Sequence, residues 1–165
     1  MKNHRFAILA ALLLASLTLV SCGKKVILDE TRTFSNNTWL RFQPEHFDVT
    51  PASTDDCYNF LVTVAIDTAR YRENGLPVMM ELESPDHERR TLFSTILLRN
   101  NDGNWMGEFG DDGLLTVTKM VRQYYFFSSA ETHSLNLSQR TSKYEIHGIR
   151  SINLHIERAK LDLPE

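Results

Sequence analysis

Tyr58-Asn-Phe-Leu-Val-Thr-Val-Ala-Ile-Asp67 is the stretch whose reading decides the fold. Phe60, Val62, Val64 and Ile66 recur at every second position, with Leu61, Thr63, Ala65 and Asp67 between them. Successive side chains of an extended chain point to opposite faces, so this period of two predicts a strand with one face turned to a core. A helix would instead need apolar residues three and four apart.

The same pattern recurs on either side. Val78-Met-Met-Glu-Leu-Glu83 turns Val78, Met80 and Leu82 one way and Glu81 and Glu83 the other, and Thr91 to Leu98 brings Leu92, Ile96 and Leu98 to one face. His133-Ser-Leu-Asn-Leu-Ser-Gln139 alternates, as does Ser151-Ile-Asn-Leu-His-Ile-Glu157, with Ile152, Leu154 and Ile156 inward. A first strand is expected near Val26 to Phe34, and Leu114 to Phe127 is long enough for two short strands or one bent one. Gly75-Leu-Pro77, Ser84-Pro-Asp86, Asn100-Asn-Asp-Gly103 and Asp111-Asp-Gly113 supply turn residues between these runs. Helical spacing is weak and confined to Thr68–Glu73 and Ser138–Glu145. Many short strands separated by turns predict an all-β chain, an antiparallel two-sheet β-sandwich of jelly-roll or immunoglobulin-like type.

Ahead of the strands lies a different kind of sequence. Lys2 and Arg5 precede an apolar run from Phe6 to Val20, and Leu19-Val-Ser-Cys22 closes it as a lipobox. The run is too short for a membrane span, which needs about 20 apolar residues, and fits a secretory signal peptide. The lipobox chemistry is nucleophilic: a lipid is transferred to the Cys22 thiol, residues 1–21 are removed, and the freed amine is acylated. Several acyl chains on one residue pass the two-signal threshold for stable anchoring. The expected organisation is therefore a signal peptide over 1–21, a lipidated cysteine with tether and first strand over 22–35, and a β-sandwich domain over 36–165.

Processing at Cys22 removes 21 of the 165 residues, leaving 144, a length suited to one domain. It also removes Lys2 and Arg5, so 16 of the 18 basic residues face 21 acidic ones, a formal net charge of −5. That balance argues against nucleic acid as a partner, because a polyanion needs a concentrated basic patch. Cys57 is the only other cysteine, and with Cys22 carrying lipid no disulfide forms within the chain. Cys57 reads as a small hydrophobe opening a strand. The residue after Cys22 is Gly23, so an aspartate retention signal for the inner membrane is missing, and an outer-membrane lipoprotein facing the periplasm is expected.

Residue patterns name no catalytic centre. Asn100, Asp102 and Asn104 place oxygens at alternate positions as a calcium loop does, but Trp105 stands where an EF-hand needs glycine. A hairpin turn between strands ending at Leu98 and beginning at Trp105 accounts for the stretch better. The histidines at 46, 87, 133, 147 and 155 lack metal-ligand spacing, and no Gly-x-Ser-x-Gly elbow, Walker loop, His-Glu-x-x-His or Cys-x-x-Cys occurs. The expectation is a protein that is not an enzyme, with no metal and no cofactor beyond the lipid on Cys22. Aromatic residues offer the other candidate site: Trp39, Trp105, Tyr124, Tyr125, Phe126 and Phe127 are candidate structural or interaction residues. In a strand Tyr124 and Phe126 face one way and Tyr125 and Phe127 the other, so one pair leaves the core. A glycan-binding lipoprotein of a nutrient-uptake system is the alternative these residues support.

The order of the lipobox, Asp29-Glu30, Trp39, Asp56-Cys-Tyr-Asn59, Tyr71, Leu76 and a strand led by Val78 resembles the GldH family of gliding-motility lipoproteins from Bacteroidetes-type bacteria. Its most specific pieces are Asp102-Gly-Asn-Trp-Met-Gly107 and the closing His147-Gly-Ile-Arg-Ser-Ile-Asn-Leu-His-Ile-Glu157. The resemblance spans the mature chain and departs from the family over Glu88–Ile96. It implies a non-enzymatic lipoprotein, an accessory or scaffold component of the gliding-motility and type IX secretion machinery. Its implied partners are the bilayer, through acylated Cys22, and other envelope proteins of that machinery. The family supplies no catalytic residues to transfer, and Trp105 with Trp39 are expected to anchor the fold.

Overall fold

The computed structural model describes residues 25–160. The expected signal peptide at 1–21 and the expected lipidation site Cys22 lie outside the described residues. Among the described residues eleven strands follow one another: β1 Val26–Thr33, β2 Thr38–Leu40, β3 Glu45–Val49, β4 Cys57–Ile66, β5 Gly75–Glu83, β6 Arg89–Leu97, β7 Glu108–Phe109, β8 Leu115–Phe126, β9 His133–Gln139, β10 Glu145–His147 and β11 Ile149–Arg158. The alternating stretch around Val62 becomes β4, whose even-numbered side chains from Tyr58 to Ile66 are all buried.

Every pairing is antiparallel. One sheet has the order β1-β11-β4-β8-β7, the second β3-β9-β5-β6, and β10 with β2 forms a short two-stranded sheet. The chain changes sheet at almost every connection, and its first half pairs with its second half in reverse: β1 with β11, β3 with β9, β4 with β8, β5 with β6. This is a long hairpin rolled into two layers, the arrangement of a jelly roll. The fold expected as jelly-roll or immunoglobulin-like is thus resolved in favour of the first, since immunoglobulin connections keep more neighbours within one sheet.

The core lies between the two large sheets. Val62, Val64, Ile152, Leu154 and Ile156 from one layer meet Leu76, Val78, Ile96, Leu135 and Leu137 from the other, all buried. The stretch at 114–127 is one bent strand. Its register against β4 slips between Tyr58 and Phe60 and again between Phe60 and Leu61, so β8 carries extra residues and curves. Thr68–Glu73 and Ser138–Glu145 form turns and strand ends, not helix.

Two glycines of the quoted motifs are set by backbone approach. A Cβ at Gly148, where φ is +92°, would lie 2.7 Å from the Tyr71 amide nitrogen and 2.9 Å from the Asp67 carbonyl oxygen. One at Gly107 would collide with the Thr116 carbonyl oxygen. Gly107→Ala is expected to cost about 3 kcal/mol through overpacking against main chain that has no room to retreat. Urea denaturation checks it, and a midpoint equal to that of the parent protein would contradict the close approach.

Candidate functional site

The aromatic candidates separate into three places. Trp39 is 1 % exposed, lies opposite Ile146 in the β2–β10 pair, and stacks on Phe34 with ring centroids 5.0 Å apart. Trp105 is half-buried in the hairpin after β6, with the Arg99 guanidinium 3.4 Å from its ring centroid and Phe109 edge-on at 6.5 Å. Phe127 is buried and Tyr125 half-buried, whereas Tyr124 and Phe126 are 48 % and 49 % exposed. Phe109 lies opposite Leu115 at one end of β8, and Tyr124 lies near the other end, roughly 25–30 Å along the strand. No single surface therefore collects Trp39, Trp105 and the 124–127 run.

The hairpin beginning at Leu98 is present, closed by an Arg99–Trp105 bridge and by the Met106 amide donating to the Leu98 carbonyl at 2.8 Å. Asn100 Oδ1 accepts from the amides of Asp102 and Asn104 at 3.0 and 2.9 Å, so the turn itself uses the oxygen that a calcium reading would have offered to an ion. Cys57 is buried at the start of β4. Among the described residues no three His, Cys, Asp or Glu side chains come together as a metal site.

A concavity opens where β6, an edge strand of one sheet, and the part of β8 beyond its short β7 partner in the other draw apart. Near one end Lys119 Nζ donates to the Thr95 carbonyl at 2.9 Å and ties the two edges together. Beyond that tie lies a cavity of about 170 Å³, floored by Phe60, Met80 and Leu82 and walled by Tyr125. Arg90 and Arg122 stand at its mouth, their guanidinium carbons 5.8 and 5.9 Å from the Tyr125 ring. The β8 bulges create this arrangement. Arg122 comes opposite buried Phe60, where unbroken alternation would have set Val121.

Tyr124 pays for the second bulge with φ of +52°, a conformation that bulky side chains avoid, and its amide is held by Asn59 Oδ1 at 3.2 Å. Burial pushes the Tyr125 hydroxyl above the usual tyrosine range, and Arg90 pulls it partly back. Arg90 is matched by Glu88 at 3.1 Å, while Arg122 makes no ion pair among the described residues.

Glu83, at the end of β5, accepts from His87 Nδ1 at 3.0 Å and Arg89 Nε at 2.8 Å. The hydrogen bond from His87 holds its carboxyl below the usual glutamate range; desolvation opposes it, and the weaker pull of Arg89 adds to it. A carboxylate whose folded pKa is lowered stabilises the fold above its unfolded pKa, and that stabilisation is lost as pH falls through the folded value. In an NMR titration Glu83 is expected to ionise below the ordinary glutamate range and to move back towards it in His87→Ala.

Arg90, Arg122 and the exposed pair Phe42 and Tyr144, whose rings lie 6.0 Å apart, were not singled out by sequence patterns. A signal existed for Arg122: Lys119 and Gln123 occupy positions where β8 alternation calls for hydrophobes, which marks a disturbed strand.

A family model described as GldH lipoprotein matches residues 26–156, from the first residue of β1 into β11. None of the curated proteins matches the chain.

Proposed function

Because this chain belongs to the GldH lipoprotein family, and so is a lipid-anchored protein of the cell envelope, we propose that it is an accessory or scaffold component of the gliding-motility and type IX secretion machinery. The observation that carries this is the family match itself, which covers the sandwich from β1 into β11. In this reading Cys22 of the lipobox carries the acyl chains, and the body sits at the outer membrane facing the periplasm. It works by contact, without catalysis and without a cofactor beyond its lipid.

The geometry supports a body built for rigidity. The most specific motif residues are used for backbone approach and turns, Gly107 against Thr116 and Gly148 against Asp67 and Tyr71, with Trp105 packed under Arg99. Confinement to one leaflet raises the effective concentration of the body toward other anchored proteins, so modest contacts suffice. Trp39, part of the surface on which a glycan-binding alternative would draw, stacks inside the core on Phe34.

Deletion of the gene is expected to block export of proteins carrying type IX signals, and the cross-linked, tagged lipoprotein is expected to co-purify with envelope components of that machinery. Unchanged secretion in the deletion strain would contradict the proposal.

A further inference from the structure

Only Gly23, Lys24 and Lys25 separate Cys22 from Val26, the first residue of β1. The chain is already fixed at Lys25, whose carbonyl accepts from the Arg158 amide at 2.6 Å. An extended residue spans at most about 3.6 Å, so Val26 sits within roughly 14 Å of the Cys22 Cα. The anchor therefore dictates which end of the jelly roll meets the membrane.

The register carries that level across the sheet. Val26 lies opposite Glu157, Glu157 opposite Asn59, Tyr58 opposite Tyr125, and Cys57 opposite Phe126. Three strand spacings of about 4.8 Å bring the start of β1 to the end of β8. There Tyr124 and Phe126 stand 48 % and 49 % exposed, with Val26 and Met120 also more than a third exposed on the same sheet.

We infer that this end of the sandwich lies against the bilayer, with the rings of Tyr124 and Phe126 in the lipid–water interface. The inference rests on acylation of Cys22 as proposed above. Aromatic rings with one apolar and one wet side suit that interface. The β8 bulge fits the same purpose, since it holds Tyr124 at φ +52° instead of letting the strand run on regularly.

Charge at this end permits the contact. Glu157 is matched by Lys25 at 3.5 Å, Asp56 by Arg158 at 2.8 Å and Glu88 by Arg90 at 3.1 Å. Arg122, two residues from Tyr124 and without an ion pair among the described residues, is placed to meet a lipid phosphate. Asp55, Asp86 and Glu131 on the neighbouring loops also lack ion pairs there, which sets the contact on β8 and not on those loops. The opposite end, carrying Phe42 and Tyr144, lies about 30 Å away along the ten residues of β4.

The full lipidated chain is to be purified with Phe126→Cys or, as a control at the far end, Tyr144→Cys, and labelled with an environment-sensitive fluorophore. Every variant also carries Cys57→Ala, because Cys57 is buried directly opposite residue 126 and would pair with a cysteine there, and Cys22 is blocked by lipid in this reading, so the introduced thiol is the one labelled. In phosphatidylcholine–phosphatidylglycerol vesicles the label at 126 is expected to shift to the blue and to be quenched by spin-labelled lipid, and the label at 144 by aqueous iodide. Tyr124→Cys serves as a second position if Phe126→Cys misfolds. A chain that sediments with vesicles but exposes 124 or 126 to iodide as fully as 144 overturns the contact and leaves the anchor standing. A chain whose mass carries no acyl group overturns both.

Discussion

Trp39→Ala is expected to destabilise the fold by about 3–5 kcal/mol, the range for removing a large aromatic side chain from a core. Trp39 is 1 % exposed, stacks on Phe34 and lies opposite buried Ile146, so its loss leaves a cavity between the short β2–β10 sheet and the main core. Domains have total stabilities of about 5–15 kcal/mol, so this one truncation removes a large share. Among the described residues the buried Trp39 Nε1 has no hydrogen-bond partner, a feature that itself costs about 1–3 kcal/mol. Trp39→Phe keeps a ring against Phe34 and removes the orphan donor, and is therefore expected to cost much less than the alanine. Urea titrations of the three proteins, followed by circular dichroism, decide it. Equal midpoints for Trp39→Ala and the parent would place the indole outside the core.

What the sequence made legible follows from how many residues repeat a physical rule. β4, β5, β9 and β11 each carry several apolar side chains at a spacing of two, because one face of each packs on the opposite layer. The all-β reading follows from that repetition alone. β2, β7 and β10 are only two or three residues long, too short for any period to register, and their pairing is imposed by neighbours. β3 escaped for a related reason: Phe47 and Val49 are its only buried residues. Which strand pairs with which was not legible either, since a jelly roll pairs residues far apart in the chain, Val26 with Glu157 among them.

The aromatic run shows the same limit at a site. Alternation correctly divides Tyr124 and Phe126 from Tyr125 and Phe127, and the outward pair is Tyr124 with Phe126. It does not foresee two slips in register within β8, because bulges are set by what the strand curves around. Arg122 at the mouth of the cavity and the left-handed backbone at Tyr124 both follow from those slips.

The largest functional effect is expected from a single sulfur. Under the acylation proposed above, Cys22→Ser removes the thiol that carries the lipid, and it is expected to leave the sandwich untouched because the described residues begin at Lys25. Each buried methylene of an acyl chain is worth about 0.8 kcal/mol, so losing several chains turns stable anchoring into free diffusion. The high local concentration that lets weak contacts with other envelope proteins suffice is lost with it. Stability in urea is expected to be unchanged, which separates this variant from Trp39→Ala.

The measurement that tests the central claim is made in a deletion strain carrying either the parent chain or Cys22→Ser at matched levels. Membrane fractions are separated and export of proteins with type IX signals is scored. The account predicts that the serine variant leaves the membrane fraction and fails to restore export. A Cys22→Ser chain that stays with the membranes and restores export in full would contradict it.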